Sequence, residues 1–152
     1  MEFTNGILKL DNGLEISLSM RVDLLLELSK SFPPIKFYYD RLGWLRTDNA
    51  ILGGELFAIL FITQDNILYQ MRLYVKRPEF ATGYEDWTAE KALAEKLFYE
   101  NFLIQHNIQT GEFDWGSIKV IEDPRSASSG IFITSKDFFE VFKKSKKSPL
   151  LK

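Results

Sequence analysis

The sequence predicts an α+β domain: a mainly antiparallel sheet of six to eight strands, with one long helix and one or two short helices packed on it. Three observations predict it. Gly54 to Lys76, GELFAILFITQDNILYQMRLYVK, holds two β-type runs separated by Asp65-Asn66. Residues 88 to 106 carry the longest helical pattern in the chain. Elsewhere, short apolar runs are divided by Gly, Pro, Asn and Asp, so strands that follow one another are joined by short turns and pair antiparallel.

Taken in order, Ile7 to Leu10 and Leu14 to Leu18 flank Asp11-Asn12-Gly13, a three-residue turn that opens the chain with a hairpin. Ser19 offers an N-cap to a short helix over Arg21 to Lys30, with Val22, Leu24, Leu25 and Leu28 as its apolar stripe and Asp23 in its first turn. Pro33-Pro34 ends that helix. IKFYYD and WLRT read as two short strands around Arg41-Leu42-Gly43, followed by a loop from Asp48 to Gly54.

The central hairpin admits two registers. A two-residue loop at Asp65-Asn66 pairs Gln64 with Ile67 and places Leu56, Ala58, Leu60 and Ile62 on the core face; a three-residue loop from Gln64 to Asn66 places Phe57, Ile59 and Phe61 there instead. Both put Tyr69, Met71, Leu73 and Val75 on the core side of the second strand. The first strand, apolar on both sides, is expected to be central and covered on both faces.

Pro78 and Gly83 mark a loop running to Trp87, and Thr88 caps the long helix, with Glu90 in its first turn. Leu93, Leu97 and Ile104 fall within about 40° on a helical wheel, and with Ala94, Phe98 and Phe102 they form the arc expected to pack on the sheet. Asn107 and Gly111 punctuate the helix end. FDWGSIKVIE and GIFITS are two further strands joined by DPRSASS, and Ser135 caps a last helix over Lys136 to Lys144, with Phe138, Phe139 and Phe142 on one side. Residues 1–144 are read as one domain and 145–152 as a basic, disordered tail.

Composition excludes several chemistries. The 152 residues, 45% hydrophobic, suffice to bury a core, and the absence of cysteine removes thiol nucleophiles, thiolate metal sites and disulfides. No apolar stretch approaches the roughly 18 residues of a membrane span, and Met1 is followed by Glu2, so a soluble cytoplasmic protein with no membrane contact is the expectation. The net charge is −2 overall but +4 over residues 136 to 152, which leaves −6 on residues 1 to 135. That acidic body argues against nucleic acid; it reads most simply as a solvated surface with a frayed basic end, and more sharply as an acidic face for a basic partner.

Chemical signals are sparse. His106, the sole histidine, has no nucleophile or orienting carboxylate among its neighbours and suits the negative end of a helix dipole; no metal, cofactor or catalytic residue is expected. Glu79, Glu85 and Asp86 lie beside Tyr84 and Trp87 in a loop, which suits a solvated acidic surface more simply than a carboxylate pair for hydrolysis. Gly53-Gly54 lacks the remainder of any phosphate-loop pattern. Trp115-Gly116 marks close approach of another backbone, and Asp123 and Arg125 are positioned to tie down the loop around Pro124.

Taken together, Gly53-Gly54 ahead of the strand pair, Trp87 ahead of a helix with Lys91 and Lys96, FDWGSI (113 to 118), DPRSASS (123 to 129) and IFIT (131 to 134) resemble the small bacterial immunity proteins of contact-dependent inhibition and polymorphic-toxin loci. The resemblance spans roughly residues 52 to 135 and carries over no binding residue. It implies a non-enzymatic protein that binds and neutralises a cognate toxin domain, a basic one given the acidic body. Exposed Asp48, Glu79, Glu85 and Asp86 are the expected partner contacts. The alternative is an α+β domain with a pocket for an apolar ligand or a carboxylate-based hydrolase site.

Overall fold

Residues 1–81, 84–123 and 128–143 are described by the structure, a computed structural model. The element order is β1 (Glu2–Thr4), β2 (Ile7–Lys9), β3 (Glu15–Ser17), α1 (Val22–Ser29), β4 (Tyr38–Tyr39), β5 (Leu45–Leu52), β6 (Glu55–Gln64), β7 (Ile67–Val75), a 3-10 turn (Tyr84–Asp86), α2 (Ala89–Gln105), β8 (Gly111–Phe113), β9 (Gly116–Asp123), β10 (Ser128–Ser135) and α3 (Phe138–Lys143). The fold is α+β, with a seven-stranded antiparallel sheet in the order β4-β5-β6-β7-β10-β9-β8 and a separate three-stranded sheet β1-β2-β3.

The hairpin β6–β7 takes its turn from one expected register and its faces from the other. Asp65 and Asn66 sit at φ 52° and 66°, the pair of positive values that a type I′ turn needs, and Gln64 pairs with Ile67. A bulge then absorbs Tyr69, so that beyond it Phe61 faces Met71, Ile59 faces Leu73 and Phe57 faces Val75. The two phenylalanines are thereby fully buried, a burial worth about 1.5–3 kcal/mol for each such side chain. Tyr69 does not join Met71 and Leu73 in the main core. It crosses to the opposite face, its ring 6.0 Å from that of Phe142 in α3.

One face of the large sheet thus carries Phe57, Ile59, Phe61, Met71, Leu73, Ile131 and Ile133 against Leu8, Leu14 and Ile16 of the small sheet and its turn, Leu25 of α1, and Tyr99, Phe102 and Leu103 of α2. The other face is covered at one end by α3, whose Phe138 and Phe142 pack on Ile62 with Trp44, Leu60 and Tyr69 around them. Phe139, expected beside them, is exposed.

Local chemistry moves several boundaries. Ser19 does not cap α1: it adopts φ 72° and donates its amide to Leu68 O. The helix starts after Arg21, and Asn66 of the hairpin turn caps it from outside, its carbonyl accepting from Val22 N and its Oδ1 from Asp23 N at 3.2 Å. The loop expected from Asp48 is strand as far as Leu52, because a bulge after Thr47 lets β5 stay paired with β6. FDWGSIKVIE is not one strand: Asp114-Trp115 turns the chain between β8 and β9. Gly116, at φ 150°, lies so near Thr134 that a Cβ would fall on its carbonyl oxygen, which accounts for glycine after Trp115. Thr88 caps α2 as expected, its hydroxyl accepting from Lys91 N. The expected tail from residue 145 and the loop contacts of Asp123 and Arg125 lie outside the described residues and side chains.

Candidate functional site

Of the α2 arc expected on the sheet, the aromatic end, Phe98 and Phe102, packs there, joined by Tyr99 and Leu103, while the leucine end does not. Tyr99, Phe102 and Leu103 are buried with Glu95, and the Phe102 ring lies 5.2 Å from that of Phe57. His106, at the C-cap, has its ring 4.6 Å from that of Phe102, tilted 53° to it, and occupies the space beside Gly53. Aromatic rings at positions 98, 99 and 102 bury more area than leucines, which decides the orientation. Leu93, Leu97 and Ile104, expected on the sheet, consequently face outward at 58%, 48% and 71% exposure.

This outward stripe is flanked by charges of both signs, Lys96 on the same helix and Lys119 on β9 among them. Glu90 and Glu100 are exposed on the same helix, and Glu85 and half-exposed Trp87 precede its first turn. The stripe continues into a groove of about 910 Å³ between the C-terminal half of α2 and β9, walled by Leu103, Ile104, Ile108, Val120 and Ile121. A contiguous exposed apolar surface of this kind, rimmed by charge, is the usual signature of a macromolecular contact.

The four carboxylates expected at a partner surface sit in different local settings. Asp48 is half-buried in β5 rather than on a loop. It accepts from Arg46 at 2.8 Å and from the Tyr38 hydroxyl, and Lys76 lies 3.9 Å away. Burial alone would raise its pKa, but the Tyr38 and Arg46 hydrogen bonds outweigh it and hold the carboxyl below the usual range. Glu79 is exposed and bound by Arg77 at 2.8 Å, which lowers its pKa. Asp86 lies 3.8 Å from Lys91, whereas Glu85 is exposed on the 3-10 turn. Three of the four therefore have a cation beside them, and Glu85 is the one without a salt bridge among the described residues.

Sequence reasoning missed a second constellation, at the seam between β7 and β10. Their pairing stops at Leu73 and Ile131, and the same register continued would set Val75 opposite Ser129. Two α2 side chains occupy that position instead. The Tyr99 hydroxyl accepts from Val75 N at 2.9 Å, and Glu95 Oε1 accepts from Ser129 N at 2.8 Å. The Tyr99 hydroxyl and the Glu95 carboxyl are one helical turn apart and close enough to interact, so together they join the two strands through the helix. Burial raises the Glu95 pKa against the lowering effect of the Ser129 amide and the Tyr99 hydroxyl. Burial likewise lifts the Tyr99 phenol well above its ordinary range, partly offset by the Val75 amide.

Beside this seam is a cavity of about 540 Å³ whose lining includes Ala58, Tyr74, Phe80, Ala81, Glu95 and Tyr99. At its mouth Arg77 bridges Glu55 at 3.1 Å and Glu79, its guanidinium 5.0 Å over the Phe98 ring. The heptad-like spacing of Glu95, Tyr99, Phe102 and His106 was the available signal, since it places all four on one helical face.

Among the described residues no three His, Asp or Glu side chains converge in a metal-binding arrangement, and no helix is long and apolar enough to cross a membrane. No protein-family model, curated protein or solved structure matches the chain.

Proposed function

We propose that the chain is a non-enzymatic binding protein that docks a basic protein domain, in the manner of a bacterial immunity protein neutralising its toxin. The observation that carries this reading is the outward stripe Leu93, Leu97 and Ile104, which leaves three large apolar side chains in water on the helix face opposite the core. Each gains roughly 1–2 kcal/mol if covered, and an isolated protein has no use for that exposure. The occupant is a basic protein because residues 1 to 135 carry −6 and Glu85, Glu90 and Glu100 frame the stripe.

The test is binding to the protein encoded by the neighbouring gene. A Leu93→Ser, Leu97→Ser double variant should keep the circular dichroism spectrum and weaken the complex at least tenfold. Charge reversal at Glu79 and Glu85 should slow association, more at low salt than at high, since rim charges act on the encounter. Self-association that disappears with Leu97→Ser would make a second copy the occupant. Hydrolytic turnover by the protein alone would replace this reading with the carboxylate-based enzyme.

A further inference from the structure

Glu95 is a carboxylate 5% exposed, and among the described residues no cation pairs with it. A buried carboxylate in that state must hold its proton or acquire a counter-ion, because an uncompensated charge away from water costs several kcal/mol. Space for a counter-ion is present. The cavity of about 540 Å³ beside the β7/β10 seam falls in the size range of small-molecule sites, and its charged and polar lining is Glu95 and Tyr99 together with Lys76 and Arg77.

The rest of the lining sets the kind of molecule. Ala58, Val75, Pro78, Phe80 and Ala81 present apolar walls, with the Tyr74 ring among them. The two cations at the mouth are already matched: Arg77 by Glu55 and Glu79, and Lys76 by Asp48 at 3.9 Å. Counting Arg46, which bridges Asp48 at 2.8 Å, three cations match these three carboxylates, so Glu95 is the one charged group lining the cavity without an ion-pair partner among the described residues, and a cation is what would complete it. The open seam is essential to this site. Were β7 and β10 paired to their ends, Val75 and Ser129 would close the gap that the Glu95 and Tyr99 head groups now occupy.

We propose that this cavity binds a small organic cation, a primary ammonium on an apolar, aromatic-sized body, with the Glu95 carboxylate as its counter-ion and Phe80 and Tyr74 against its body. The ammonium donates to the Glu95 oxygen not engaged by Ser129 N, and Tyr99 keeps the carboxylate oriented from the neighbouring turn of α2. This site is separate from the outward stripe of α2, since Glu95 and Leu97 point to opposite sides of the helix.

Isothermal titration calorimetry with three matched probes tests it: phenethylamine, its neutral analogue 2-phenylethanol, and the anion phenylacetate. The amine should bind at least tenfold more tightly than either analogue. Glu95→Gln, which keeps an oxygen acceptor for Ser129 N, should abolish the preference for the amine. Should that variant fold poorly, Ala81→Trp at the rim leaves Glu95 in place and should weaken the amine at least tenfold by filling the entrance. Tighter binding of phenylacetate would assign the site to Lys76 and Arg77 and overturn the proposal. So would equal affinity for all three probes, or no binding of the amine at millimolar concentration.

Discussion

Gly116→Ala should be among the most damaging single-methyl additions available in this protein. The residue sits at φ 150°, where an L side chain costs about 1–3 kcal/mol in strain. The added Cβ also meets the Thr134 carbonyl oxygen and lies 3.1 Å from Lys136 N, so β9 must move off β10, a displacement comparable to overpacking a core at about 1–3 kcal/mol. Together these give about 2–6 kcal/mol, or a fall in Tm of about 4–24 °C for a chain of this size. Gly43→Ala isolates the first contribution, because Gly43 also has positive φ, 86°, but nothing lies within 4 Å of its would-be Cβ. It should cost about 1 kcal/mol and 2–4 °C. Thermal melts of the two variants by circular dichroism decide the matter. Equal losses would show that the close approach of β9 to Thr134 contributes nothing, and the account of Trp115-Gly116 would be wrong.

Three further outcomes are expected. Leu73→Asp should unfold or insolubilise the protein, since it buries an unpaired carboxylate among Ile59, Met71 and Ile131, whereas Arg72→Ala, which loses a hydrogen bond to Gln70 and a place over the Phe132 ring, should cost about 1–2 kcal/mol; reversed melting temperatures would contradict the register. Tyr99→Phe should destabilise by about 1–3 kcal/mol in urea melts by stranding the Val75 amide, and a neutral result would mean that water replaces the hydroxyl. Because burial raises the Glu95 pKa, the folded state keeps a proton that the unfolded chain releases near pH 4.3, so the stabilisation is complete below that pH and is lost as pH rises through the folded value. Urea melts of Glu95→Gln should therefore show a weaker decline in stability above pH 4.5 than the wild type, and identical slopes would remove Glu95 as the cause.

What could be read from the sequence follows the strength of local chemistry. The α+β class, the strand pair around Asp65-Asn66 and the Thr88 cap were all legible, because turn residues and an N-cap act within a few positions. Asn5-Gly6 went unread, although both residues adopt positive φ and the β1–β2 hairpin turns there; the three-residue strands on either side are too short to show a period. The hairpin faces were undecided because a bulge at Tyr69 inverts them, and no pattern of two-residue period announces a bulge. The packing arc of α2 was read only in part, for a related reason: Phe98 and Phe102 pack as expected, and Leu93, Leu97 and Ile104 do not. Leucines and aromatics both define stripes on that helix, and only the tertiary packing of Phe57 against Phe102 selects between them. The Glu95–Tyr99 seam could not be found before β7 and β10 were known to be neighbours, since residues 75, 95, 99 and 129 meet only in the folded chain.

The central claim is that the outward face of α2 is where a basic protein docks, and amide NMR of the isotope-labelled chain, titrated with the protein encoded by the neighbouring gene, tests it most directly. The account predicts shifts and broadening concentrated at residues 89 to 104 and along the groove at 119 to 121, diminished by Leu93→Ser and Leu97→Ser. A footprint confined to β1–β3 and α1, or spectra unchanged by a partner added in excess, would contradict it.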